Sequence, residues 1–393
     1  MFYEIMFAIL FGIFAGIFTG LLPGIHVNLI TVIAISLTPK LPFEPILIIT
    51  SLLAMGVTHT FVDSIPSILL GAPDESNIIM ALPGHTLFLR GDALQAIYLT
   101  VKGGLVSLVL SMLSVPIILL FITLFSEIIA DWTGWMILVL VIFLLLETKK
   151  IMSLFMFLFS GILGIIVFDM WWVSQPLLPL LSGLFGVSLL LVSLSAKQQK
   201  VKQHKIITDV GCVKSSLIAV IGGFLASFLP GLGSSQMAVL MMRFLEDKTE
   251  QTLLLFSGGI NTVSMALSLC TYFLLSKARN GLVVGISDIF SEWTISFFLY
   301  ALCVVFTAGC ICASIVIPLS KLCMNIMEHI PYQFIVYCVI SLIVSLVYYF
   351  DSVSGIAILL VSTLLGIWCD KENVAKQFLL GCLLLPVIGY FLL

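Results

Sequence analysis

GIFTGLLPGIHVN, residues 16–28, has a counterpart 207 positions later in GFLASFLPGLGSS, residues 223–235, where Gly16 falls on Gly223, Leu22 on Leu229, Pro23 on Pro230 and Gly24 on Gly231. Each copy is an apolar run rich in small residues, a Leu-Pro-Gly break and a second, shorter apolar run. Proline has no N–H to donate and disfavours helix for the residue before it, while glycine permits a sharp change of direction. A helix that restarts there exposes first-turn N–H groups carrying roughly half a positive charge. Two such ends suit an anion such as a carboxylate or a phosphate. The plainer reading of both tripeptides is a kink that eases helix packing.

Composition names the solvent around these helices. Of 393 residues 61% are apolar and 9% charged, and the mean hydropathy is +1.24, whereas a soluble domain is about 25% charged. A soluble enzyme, a disordered chain and a nucleic-acid binder are excluded, and a net charge of −3 supplies no field for a polyanion. At about 20 apolar residues per span, the length predicts roughly 10 to 12 helices in an all-α, polytopic integral membrane protein. MFYEIMFAIL at the start lacks a basic segment and a cleavage site, so it reads as a first span and not a signal peptide. The nine cysteines, all from Cys212 onward, show no metal-ligand spacing and read as small buried hydrophobes, with no metal site expected.

Lys and Arg asymmetry orients the chain. The linker 196–209 carries Lys197, Lys200, Lys202 and Lys205 and divides a first membrane repeat, 1–195, from a second, 210–393. With Lys149, Lys150, Arg90 and Lys102 it marks the cytoplasmic side, while Trp171 and Trp172 form an outer aromatic belt and the N-terminus lies outside. The first copy then enters from outside and the second from inside. That predicts two inverted-topology repeats with Pro-Gly broken helices and re-entrant hairpins, the pattern of a secondary transporter with its site near the bilayer midplane. The chain is expected in the plasma membrane as a multi-pass protein.

Polar residues inside apolar runs nominate the site. Gly24, His26 and Asn28 follow the first break, and Gly231, Gly233, Ser234, Ser235 and Gln236 follow the second. His59 and Asp63 are four apart, hence on one helical face, and ionisable groups in an apolar run usually face a partner or a wet path. GAPDES at 71–76 is too polar to span and predicts the tip of a re-entrant hairpin, with Asp74 and Glu75 either functional or solvated. Asn261 lies in SGGINTVSMALS, 257–268, where small and hydroxyl residues serve close helix packing as readily as ligand contact. HExxH, GxSxG and GxxxxGK[ST] are all missing, so the expectation is no enzyme and no ATP hydrolysis.

GIFTGLLPGIHVN, ILLGAPDESNIIMALPGHTLFLRGDALQAI at 68–97, FLPGLGSSQMAVL at 228–240 and SGGINT followed by KARNGL resemble the TctA family, the large membrane subunit of the tripartite tricarboxylate transporters, in a shorter archaeal-type branch. The resemblance covers both halves. It departs from the bacterial permeases at HTFVDSIPS, 59–67, where they tend to show Tyr-Gly-Gly-Ser, and lacks their Pro-Glu-Ala-Ala-Asn-Asn stretch. The resemblance implies an extracytoplasmic binding protein and a small membrane subunit as partners.

The expected function is an ion-coupled secondary transporter of a small organic anion, a carboxylate, without a cofactor. The substrate would be held at Gly24, His26, Asn28, Gly231, Gly233, Ser234, Ser235 and Asn261, and Na⁺ or H⁺ coupled through His59, Asp63, Asp74 and Glu75. A homo-oligomer is compatible with this reading. The alternative is a lipid-phosphate translocator that uses the same helix ends.

Overall fold

Apolar segments with no water to satisfy their amides close their hydrogen bonds within helices. In the computed structural model the described residues are 1–22, 27, 30–31, 34, 38, 43–71, 78–147, 151–195, 203–204, 210–229, 233–278, 280–290, 293–329 and 332–392, and among them every regular element is helical. In chain order these are α1 (Phe2–Leu21), α2 (Pro45–Val62), α3 (Ser64–Leu69), α4 (Ile78–Arg90), α5 (Ala93–Glu147), α6 (Ile151–Asp169), α7 (Leu177–Leu181), α8 (Ser188–Ser195), α9 (Val213–Phe228), α10 (Ser234–Met241), α11 (Glu250–Leu275), α12 (Gly281–Ile289), α13 (Ile295–His329), α14 (Tyr332–Lys371) and α15 (Gly381–Leu392). Seven helices among the described residues are long and apolar enough to cross a membrane. The protein is an all-α, multi-pass membrane protein.

Two of the seven are central. Within their most apolar stretches, 89% of the α11 residues and 78% of those in Pro45–Leu69 are buried, against 33–39% elsewhere. The outer helices turn Phe7, Phe14, Leu113, Ile117 and Leu364 outward, as a lipid solvent permits.

Small residues fix the helix directions, because they are where backbones touch. Gly12 faces Ser51, Gly16 faces Met55 and Thr58, and Gly20 faces Val62, so α1 and α2 run the same way. Gly259 meets Ala219, Gly222 meets Ile260 and Gly223 meets Val263, so α9 and α11 also run together. Between the two pairs the sense reverses. Gly56 meets Met265, Thr60 bonds Thr262 at 3.2 Å and Asp63 bonds Asn261 at 3.1 Å, which makes α2 and α11 antiparallel.

One membrane face collects the linker ends. His204 N donates to Gly91 O at 2.7 Å, Lys102 Nζ donates to Val210 O at 2.6 Å, and Arg90 at the end of α4 pairs with Glu250 at the start of α11 at 2.9 Å. Since α9 and α11 start on this face and α2 opposes α11, α1 starts on the opposite face.

Three features of the chain path follow from packing. Residues 93–147 form one long helix, α5, with Pro116 inside it. The short helix after the second break turns back: Met241 Cγ lies 3.0 Å from the Cβ position of Gly222, so α10 folds back along α9. The 40-residue α14, about 60 Å as a straight rod, is two helices. Ser352 has φ 52° and ψ −142°, and the Cβ position of Gly355 lies 2.9 Å from Val347 Cγ1, eight residues back. The chain therefore reverses at Asp351–Ser352. The Asp351 carboxylate is buried there and accepts the N–H groups of Ser174 and Gln175 at 2.7 and 2.9 Å, beside Trp171 and Trp172.

Candidate functional site

The buried polar groups cluster where α2 and α11 cross. Pro66 cannot donate to the carbonyl of Val62, so helical continuity weakens at Asp63, which joins α2 to α3 with φ −60° and ψ −18°. Asp63 is 2% and His59 4% exposed. Asn261, from the middle of α11, donates Nδ2–H to Asp63 Oδ2 at 3.1 Å, and His59 Nε2 lies 4.0 Å from that same oxygen. The other ring nitrogen, Nδ1, lies 3.1 Å from Thr19 Oγ1 on α1. One residue further along α1, the Cβ position of Gly20 is 3.1 Å from Asp63 N. The end of α1, where Leu22 leaves the helix at the first Leu-Pro-Gly, therefore abuts Asp63.

A carboxylate, an imidazole and an amide, drawn from both halves and buried together, can hold a cation or a proton. An isolated buried charge would be far more costly than this partnered one. Hydroxyls complete the surroundings: Thr60 Oγ1 meets Thr262 Oγ1, one donating to the other, and a carbonyl of its own helix, Val57 O or Gly258 O, accepts from the hydroxyl whose hydrogen is left over. The Cys312 thiol of α13 reaches Thr58 O at 3.7 Å.

A second polar group sits at the second break. Leu229 ends α9 in an extended conformation, Gly233 caps α10 with φ −81° and ψ 177°, and Ser234, Ser235 and Gln236 in the first turn are all buried. Gln236 folds back over the cap, with Oε1 2.8 Å from the Cβ position of Gly233. Such a turn presents backbone donors to an anion.

The structure thus joins His59, Asp63 and Asn261, and separately Gly233, Ser234 and Ser235. Gly24, His26, Asn28, Asp74, Glu75 and Gly231 lie outside the described residues, although the flanks of GAPDES are seen, with Ile68 packed on Gly84 and its carbonyl 3.0 Å from His85 Nδ1. The neighbours of Asn261 are packing residues, as one reading of SGGINT allowed: a Cβ at Gly258 would stand 2.2 Å from Thr100 O. Thr19 and the Thr60–Thr262 pair escape sequence reasoning. A threonine in an apolar helix bonds its own carbonyls and so carries no mark of a distant partner.

Compared with known proteins, the chain matches the family described as "Tripartite tricarboxylate transporter TctA family" over residues 6–381. It belongs to the TctA family. An uncharacterised protein, MJ1079, of Methanocaldococcus jannaschii is 25% identical over 385 residues, 94% of each chain. No solved structure matches.

Proposed function

We propose that this TctA-family chain is an ion-coupled permease for a small organic anion carrying one or more carboxylates, working in the plasma membrane. The observation that carries the reading is the cluster at the crossing of α2 and α11. It unites an ionisable pair from the first half with Asn261 from the second, next to the end of α1. The opposed directions of the α1–α2 and α9–α11 pairs support a two-repeat, inverted arrangement. In such folds the site lies at the repeat interface.

In this reading the substrate carboxylate meets N–H groups at the two breaks, with Gly24, His26 and Asn28 on one side and Gly231, Gly233, Ser234 and Ser235 on the other. Asn261 links this pocket to the coupling pair His59 and Asp63, with Asp74 and Glu75 as the further coupling candidates. The family works as tripartite systems, so an extracytoplasmic binding protein that delivers the anion and a small membrane subunit belong to the reading. The test is reconstitution into sealed vesicles and measurement of ¹⁴C-citrate and ¹⁴C-succinate accumulation under an imposed pH or Na⁺ gradient. Uptake above the equilibrium level supports a coupled permease; mere equilibration, or none with any carboxylate, refutes it.

A further inference from the structure

At the second break Gln236 holds a buried amide oxygen that accepts no hydrogen bond among the described residues. The residue is 3% exposed and stands three positions after Gly233, the cap of α10. A glutamine in that place ordinarily reaches back to accept the N–H of the cap residue. Here Oε1 comes to 2.8 Å from the Cβ position of Gly233 and makes no such bond. The three atoms nearest that position all belong to the Gln236 carboxamide. An amide can turn end for end, and the helix decides which end faces it: the N-terminus of α10 is the positive end of the dipole, so oxygen is favoured there over NH₂. A buried acceptor without a donor costs stability and calls for a use.

The first-turn N–H groups, for which a helix has no internal partner, open at the same cap. Donors for an anion and an acceptor for a hydroxyl therefore meet in one place. A bare carboxylate only accepts, so laid on the N–H groups it sets its oxygens against Oε1. A hydroxycarboxylate fits both, its carboxylate accepting from the backbone while its hydroxyl donates to Oε1. An ammonium group would also donate, but the positive helix end opposes its charge. The amide is presented from a packed element, since every residue of α10 is buried and Met241 seats on Gly222.

We propose that Gln236 is a specificity-determining residue that reads a hydroxyl beside the substrate carboxylate. The inference rests on the permease reading and narrows its substrate to hydroxycarboxylates.

The test is calorimetry of the full-length protein in lipid nanodiscs with two matched pairs, citrate with tricarballylate and malate with succinate, whose members differ by one hydroxyl. The hydroxylated member of each pair should bind at least about fivefold more tightly, the scale of one hydrogen bond. Gln236→Met keeps the length and loses the acceptor, so citrate and malate should fall to within about twofold of their partners, by the same hydrogen bond. Gln236→Glu keeps the shape and adds a charge, so all four ligands should weaken, because like charges at one helix end repel. Equal binding within each pair by the wild-type protein overturns the proposal without relying on any variant. A hydroxyl preference that survives in Gln236→Met, or full affinity in Gln236→Glu, overturns it as well. Sealed vesicles separate this from the permease reading. Gradient-driven accumulation of malate and succinate with equal apparent affinity removes the role of Gln236 and leaves the permease, whereas no binding of any of the four by the wild-type protein refutes both.

Discussion

Gly258→Ala is the sharpest probe of how the buried His59–Asp63–Asn261 cluster is held. At the crossing of α5 and α11, a Cβ on Gly258 would stand 2.2 Å from Thr100 O, and on the facing side a Cβ on Gly103 would stand 1.9 Å from Leu255 O. Ordinary contact begins near 3.4 Å, so the two backbones must separate by 3.4 − 2.2 = 1.2 Å. The opposing atoms are carbonyls, which cannot rotate aside as a flexible side chain can. A gap of that size forfeits a quarter to a half or more of the dispersion energy along the seam, and overpacking typically costs about 1–3 kcal/mol. The upper end applies here. With about 2–4 °C per kcal/mol for larger domains, thermal unfolding in detergent should fall by several degrees. Asn261 lies one turn further along α11, so its 3.1 Å bond to Asp63 should stretch beyond reach and gradient-driven citrate uptake should fall with it. Gly389→Ala is the matched control, because nothing lies within 4 Å of its Cβ position. There alanine should be neutral or stabilise by up to about 1 kcal/mol through helix propensity. If Gly258→Ala unfolds and transports like Gly389→Ala, the described seam is wrong.

Replacing Asp63 by Asn should abolish concentrative uptake while leaving carboxylate-induced thermal stabilisation largely intact; unchanged gradient-driven uptake would move coupling elsewhere, first to Asp74 and Glu75. Ser234→Ala and Ser235→Ala should each weaken citrate binding by about 0.5–1.5 kcal/mol, one neutral hydrogen bond, read by calorimetry. Gly24→Val and Gly231→Val should lose most of it, and full affinity in either removes that break from the binding site. In a cysteine-free background, a maleimide that cannot cross membranes should label Trp172→Cys in intact cells and spare Gln203→Cys, and the reverse pattern would invert the orientation.

Local chemistry was legible in the sequence and distant pairing was not. Pro23, Gly24, Pro230 and Gly231 announce their breaks because their backbone constraints act within a residue or two. The direction taken after the second break was hidden, since it is set by Met241 meeting Gly222. His59 and Asp63 were readable as a pair from helical spacing. Asn261 stood out as a polar residue in an apolar run, but its partner lies 198 positions away, and no periodicity encodes that. Gly258 and Gly259 were readable only as small residues, with packing and ligand contact both open until Thr100 and Ser107 were seen against them. A positive-φ serine at 352 was not readable either, because serine rarely adopts that conformation.

The reversal at Asp351–Ser352 bears on how this protein is made. With no loop between them, the two arms of α14 are expected to insert as a pair closed at its tip, with the Asp351 carboxylate at the closure. An aspartate at the centre of a membrane helix costs on the order of 2.5–3.5 kcal/mol on insertion scales. The arms that follow it, VYCVISLIVSLVYYF and VSGIAILLVSTLLGI, are apolar enough to offset that toll. In the folded protein the carboxylate finds the amides of Ser174 and Gln175, a turn that precedes the hairpin in the chain and so can be in place to receive it.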